Sequence, residues 1–234
     1  NTSKVNHEIK PIFIIGVPRC GSTLIEKVIA SGTQYISIGE ETGILNAFIT
    51  QKINQKLLLN SNLENFQTEI IEKYKQKRLI QKKSDYIFTD KSLDNFFYLG
   101  IIREIFPNAK IIHCKRNPLS SIMSLLKTNL REVTWAHNLK HIFEFFNIYY
   151  HMTENFNKTY PNFIYELQYE KFVSNPISES KKLTKFCDLK WNKKCLEFYK
   201  RKDLISKTAS NVQIRKAIYK HSLDKYLPYK KFLD

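Results

Sequence analysis

Residues 10–30 read Lys10-Pro-Ile-Phe-Ile-Ile-Gly-Val-Pro-Arg-Cys-Gly-Ser-Thr-Leu-Ile-Glu-Lys-Val-Ile-Ala30. The apolar run ending at Gly16-Val-Pro18 predicts a buried strand of a parallel sheet. Beyond it, Leu24, Ile25, Val28 and Ile29 recur at helical spacing. The stretch is therefore strand, tight loop, helix. The same grammar returns downstream. Residues 85–90 read as a strand, 96–106 as an amphipathic helix, 110–115 as another strand, and 118–130 as a helix with Pro118 near its first turn. Strands alternating with helices imply an α/β fold with a mainly parallel sheet.

Between these units, residues 41–78 read as helical and 134–158 as a long aromatic-rich helix. Residues 163–167 add a strand and 178–187 a helix after Pro176. The basic, weakly periodic stretch 200–234 reads as a segment wrapping the domain. No fixed-period repeat and no boundary is visible, so the 234 residues are expected to form one domain, 1–234.

Composition narrows the class. With 42% hydrophobic residues, 6 Gly and 7 Pro, the chain is neither collagenous, low-complexity nor disordered. No apolar run is long enough to span a bilayer. A net charge of +16 favours an anionic partner: nucleic acid, a polyanionic glycan or a multiply charged nucleotide. Cys20, Cys114, Cys187 and Cys195 show no CxxC spacing, which argues against a zinc site or a disulfide framework and for a reducing, cytoplasmic setting. The chain begins at Asn1 rather than Met, which leaves room for an upstream domain, anchor or targeting segment.

The loop Gly16-Val-Pro-Arg-Cys-Gly-Ser-Thr23 fits the phosphate-loop frame GxxxxG[K][ST], with Ser22 at the lysine position. Its glycines let the backbone close so that helix-start N–H groups converge on a phosphate. The missing lysine is the one that NTPases aim at the β and γ phosphates. No acidic residue for Mg²⁺ ends the 110–116 strand, which runs into Lys115 and Arg116. Arg19 can supply a cation to a shorter anion. The loop suits a nucleotide with a 5′ phosphate and one further anionic group, without a metal.

Pro18-Arg-Cys-Gly-Ser-Thr-Leu24 resembles the 5′-phosphosulfate loop of the sulfotransferase family, whose members use 3′-phosphoadenosine 5′-phosphosulfate (PAPS). Cys20 and Ser22 are mild departures from that pattern. The likeness continues in family order through Gly39-Glu-Glu-Thr42, Thr89-Asp-Lys-Ser92, Phe106-Pro-Asn-Ala-Lys-Ile-Ile-His-Cys-Lys-Arg-Asn-Pro118, Gln168-Tyr-Glu-Lys-Phe-Val-Ser-Asn-Pro176, Thr208-Ala-Ser210 and Gln213-Ile-Arg215. It is similar above all to tyrosylprotein sulfotransferases and to bacterial members carrying helical repeats upstream. The resemblance implies a P-loop nucleotide-hydrolase-like three-layer fold with a central, mainly parallel sheet.

It also implies roles. Residues 18–24 (Pro18, Arg19, Cys20, Gly21, Ser22, Thr23, Leu24) would cradle the phosphosulfate. Arg116 and Ser124 would hold the 3′ phosphate, an arginine fork and a hydroxyl being suitable donors to a dianion. Tyr169 would lie near the adenine, and Lys225 would contact the nucleotide. Lys91 would support the leaving bridging oxygen, with Ser210 assisting at the sulfuryl group. Either Glu40 or Glu41 would be the base: spacing from Arg19 favours Glu40, whereas anchoring on Thr42 favours Glu41, and Glu40 is the expected base with Glu41 as its neighbour. Taken singly, most of these residues read more simply as surface ion pairs or helix-face hydroxyls, and their joint order reverses that reading.

The implied activity is direct in-line transfer of a sulfuryl group from PAPS to a hydroxyl acceptor, with PAP as product and no metal required. The acceptor stays open among peptide tyrosine, glycan, lipid and small alcohol, and so does a homodimer. Two competing readings are a small-molecule kinase using ATP and a basic nucleic-acid-binding module. The absent loop lysine and Mg²⁺ acid weigh against the first. Spread of Lys and Arg over the whole surface, rather than along one helix, weighs against the second. His137, His141 and His151 recur without carboxylates at metal spacing and predict no metal site.

Overall fold

The computed structural model describes residues 6–32, 36–56, 62–82, 86–128, 130, 133–201, 203, 215–219 and 226–228. Strand β1 (Ile12–Ile15) is buried at every position, as an apolar run covered on both faces must be. It lies at the centre of a five-stranded, wholly parallel sheet with β2 (Ser37–Ile38), β3 (Phe88–Asp90), β4 (Lys110–Lys115) and β5 (Ile164–Gln168), in the order β2-β3-β1-β4-β5. Phe13 of β1 pairs with Asp90 on one side and Ile111 on the other. The edge strand β5 keeps Ile164 and Leu167 inside while Glu166 and Gln168 face water. The expected α/β architecture with a parallel sheet is present.

The described residues hold eight α-helices: α1 (Ser22–Ala30), α2 (Ile44–Asn54), α3 (Leu63–Gln76), α4 (Leu99–Ile105), α5 (Pro118–Leu126), α6 (Leu139–Thr159), α7 (Tyr169–Ser174) and α8 (Pro176–Phe186). Three expectations need local correction. The continuous helix over 41–78 is two helices, because Lys56 takes a left-handed φ of 55° and Asn62 caps a new start by accepting from the Glu64 N–H. The helix at 96–106 begins earlier as a 3-10 turn (Leu93–Tyr98) before α4. The long aromatic helix starts at Leu139, where Asn138 accepts from the His141 N–H, so His137 sits in a separate 3-10 turn and shares no helix with His141.

Asp90, at the end of β3, ties the sheet to these helices. Its carboxylate is fully buried and accepts from the Thr42 and Ser92 hydroxyls, the Tyr74 phenol, the Ser92 N–H and the Asn95 amide, at 2.6–3.1 Å. Neutral donors thus satisfy a carboxylate in the interior.

His113 is the opposite case. It is buried in β4 against the Tyr149 ring, and its Nε2 has no hydrogen-bond partner. Burial first, and the Lys115 charge second, push its pKa down from 6.5 to about 3. Below about pH 6.5 the unfolded chain takes up a proton that the folded one refuses, so stability is lost as pH falls toward 3. Urea unfolding at successive pH values should show this loss, and His113→Leu should flatten it.

Candidate active site

Every residue singled out at a strand end lies just past the carboxyl end of its strand. Gly16 follows β1, Gly39, Glu40 and Glu41 follow β2, Lys91 follows β3, Arg116 follows β4 and Tyr169 follows β5. β1 is where the strand order reverses, and ligands of open parallel sheets bind in the crevice that such a reversal opens. The sheet therefore gathers segments far apart in sequence into one cleft.

The loop after β1 is shaped by close approaches. A Cβ on Gly16 would sit 2.4 Å from Cys20 Sγ, and one on Gly21 would sit 2.4 Å from the Tyr169 ring. Gly21 also has a φ of 101° and starts α1 with no side-chain cap. That leaves the helix start to present backbone N–H groups. Cys20 is wholly buried, with its thiol turned to Gly16 and Cys114, so only its backbone can serve a donor in the cleft.

Arg19, at φ 69°, reaches across the loop, and its Nε donates to Ser124 Oγ at 2.9 Å. Arg116 Nη1 donates to the Arg19 carbonyl at 2.8 Å, and its guanidinium stands 4.7 Å from the centre of the Tyr169 ring. Burial, then repulsion from Arg116, lower the Arg19 pKa from its ordinary value. Two crowded guanidiniums make a strongly anion-seeking site. With Thr23, Leu24 and the segment Lys216 to Tyr219 they line a cleft.

Beside this cleft lies a cluster of carboxylates and ammoniums. Lys91 is only 2% exposed and its Nζ donates to Glu41 Oε1 at 3.0 Å, whereas the Glu41 side chain is 48% exposed. Burial alone would lower the Lys91 pKa, but the Glu26 and Glu41 carboxylates outweigh it and hold the ammonium above its ordinary value. Glu40 takes a φ of 52° and turns inward, its Oε1 3.6 Å from the buried Lys27 ammonium. Gly39 lies so close to β3 that a Cβ there would meet the Thr89 carbonyl at 2.2 Å. That contact fixes the turn carrying both glutamates.

Residues 11–193 match the family model described as the sulfotransferase family. The chain belongs to the sulfotransferase family. An uncharacterized protein of Aquifex aeolicus is 32% identical over 96% of this sulfotransferase chain, which spans 31% of that protein's length. Among solved structures, the sulfotransferase domain of the Synechococcus PCC 7002 olefin synthase superposes with a TM-score of 0.68 at 19% identity, covering 97% of this chain and 90% of that one. The sulfotransferase domain of the curacin biosynthetic pathway gives 0.68 at 18% identity, covering 92% and 89%. These likenesses fix the fold as the P-loop nucleotide-hydrolase-like α/β type.

Of the residues read from the sequence of this sulfotransferase, Arg19, Gly21, Thr23, Leu24, Arg116 and Tyr169 line the cleft. Ser124 borders it through Arg19. Glu40, Glu41 and Lys91 come together in the neighbouring charge cluster. Ser210 and Lys225 lie outside the described residues. Sequence reasoning missed Glu26, Lys27 and residues 216–219. The first two carried a signal: charges inside a helix whose neighbours Ile25, Val28 and Ile29 are all apolar. No helix among the described residues is long and apolar enough to cross a membrane.

Proposed function

We propose that the chain binds PAPS in this cleft and transfers its sulfuryl group in line to a hydroxyl acceptor, releasing PAP. The observation that carries the reading is the convergence of Arg19, Arg116 and Ser124 at the strand ends beside the Lys91–Glu41 pair. PAPS carries anionic groups at both ends of its ribose. Arg116 and Ser124 take the 3′ phosphate, the loop amides and Arg19 the 5′ phosphosulfate, and Tyr169 the adenine side. The Ser124 hydroxyl, which accepts from Arg19 Nε, keeps its own proton to donate to that phosphate.

Glu41, rather than Glu40, is the base of this reading. Exposure lets Glu41 meet an incoming hydroxyl, and its partner Lys91 stands ready for the bridging oxygen that departs with PAP. Glu40 is committed to Lys27 below. Sulfuryl transfer disperses negative charge over the moving group, so positioning and fixed cations supply most of the catalysis. The acceptor proton passes to the Glu41 carboxylate, and the S–O bond to the nucleotide breaks as the new one forms.

Titration calorimetry in the presence of EDTA tests the donor half. PAP should bind without metal, and Arg116→Ala should weaken PAP by about thirtyfold, the scale of a lost charge-assisted pair, while weakening adenosine 5′-phosphosulfate far less. Equal losses for both ligands would remove the 3′-phosphate assignment. Transfer of labelled sulfuryl from PAPS to a panel of phenols, glycans, peptides and alcohols tests the reaction.

A further inference from the structure

Glu26 lies on α1, on the side of the helix that packs beneath the turn carrying Glu40 and Glu41, and is completely buried. One carboxylate oxygen, Oε1, accepts from the Thr89 hydroxyl at 2.7 Å and from the Glu40 N–H at 3.1 Å. The same Thr89 hydroxyl accepts from the Gly39 N–H at 3.2 Å, and the Lys91 N–H donates to the Glu40 carbonyl at 2.7 Å. A single carboxylate oxygen thus pins the ends of β2 and β3 to α1.

The other oxygen, Oε2, is buried with no hydrogen-bond partner. An amide would serve the observed hydrogen bonds as well as a carboxylate does, and a buried carboxylate is costly unless opposite charge compensates it. Opposite charge is supplied by two ammoniums that are themselves almost fully buried, Lys91 and Lys27, although burial outweighs them and leaves the Glu26 pKa above its ordinary value. The charge of Glu26, beyond its shape, is therefore what the arrangement uses.

We infer that Glu26, too deep to touch donor or acceptor, is a positioning residue for sulfuryl transfer: it fixes the Glu40–Glu41 turn by hydrogen bonds and keeps the Lys91 ammonium charged and in place. The inference rests on the proposed reading, in which Lys91 and Glu41 act at the transferring group. The titratable groups around the pair are Lys27 from α1 with Asp203 beyond it, Glu40 and Glu41 from the turn after β2, Asp94 beyond Glu41, and the buried Cys114 thiol of β4. Without the Glu26 charge, burial pulls the Lys91 ammonium toward its neutral form, against the remaining pull of Glu41 and Glu40.

Glu26→Gln keeps the volume and the Oε1 acceptor, removes the charge and puts an amide NH2 at the partnerless Oε2 position. PAP affinity and acceptor KM should change by less than about twofold. Turnover should fall about tenfold at alkaline pH where the wild type stays active, with the loss shrinking as pH is lowered, because Lys91 gives up its proton earlier than in the wild type. Glu26→Asp, which restores the charge on a shorter stem, should recover part of the loss and covers the case in which the amide variant folds poorly. Independently of activity, the Cε resonance of Lys91 in protein labelled with ¹³C-lysine should titrate at lower pH in Glu26→Gln. An unmoved titration, or turnover with an unchanged pH profile, overturns the inference. Wild-type protein that binds PAP but transfers nothing to any acceptor would defeat the reading of the site instead, and the Lys91 titration would still judge the Glu26–Lys91 coupling by itself.

Discussion

Glu41→Gln is expected to lower turnover at saturating PAPS about a thousandfold while leaving PAP affinity unchanged, because general-base catalysis contributes a factor of about 10² to 10⁴. The amide preserves the size of the side chain and can still accept a hydrogen bond from Lys91, so the turn after β2 should keep its shape. What disappears is the capacity to take a proton. Glu40→Gln should behave differently. Its carboxylate faces the Lys27 ammonium, which is 1% exposed, so neutralising it removes one of the opposite charges beside a buried cation, with Glu26 remaining, and lowers stability more than rate. Single-turnover transfer, calorimetry with PAP and urea unfolding on both variants separate these effects. If the loss of transfer fell on Glu40→Gln while Glu41→Gln stayed active, the base would be Glu40, as the spacing from Arg19 in the sequence suggests.

That ambiguity shows where the sequence stops being legible. Apolar runs such as Ile12–Ile15 and Lys110–Lys115 announce their strands, because a strand buried on both faces has few alternatives to continuous apolar composition. The site residues at those strand ends follow almost automatically, since the fold presents whatever comes next in the chain. β2, in contrast, is two residues long, too short for any periodic signal, and the residues after it were the hardest to assign. Which of two adjacent glutamates turns outward depends on a single left-handed φ at Glu40 and on a glycine pressed against the Thr89 carbonyl. Both are tertiary facts. The partner of Lys91 is similar: sequence proximity points to Asp90 and Asp94, yet Asp90 spends its oxygens on hydroxyls and amides, and the ion pair goes to Glu41, fifty residues away. Helix breaks at residues 56 and 138 were hidden for a gentler reason, since polar caps inside a helical pattern carry little weight until packing decides where the helix turns.

Arg19→Ala should reduce turnover at saturating donor by about 10² to 10³, the usual scale for removing one fixed donor that acts on developing charge, with little change in stability. Two structural features support the second half. Arg19 already occupies a left-handed φ of 69°, so alanine at this position carries the same backbone strain as the wild-type residue and adds none. Its guanidinium is half-buried and held below its ordinary pKa by burial and then by Arg116, so removal relieves a repulsion while costing one hydrogen bond to Ser124. PAP lacks the sulfuryl group and should lose less than about tenfold in affinity, because Arg116 and Ser124 remain to hold its 3′ phosphate. Arg19→Lys should recover only part of the rate, since a point charge on a flexible stem cannot present the planar fork. Comparing kcat with the Kd for PAP in all three proteins tests the assignment. Equal loss in both would make Arg19 a ground-state binding residue, and an unchanged kcat would remove it from the reaction altogether.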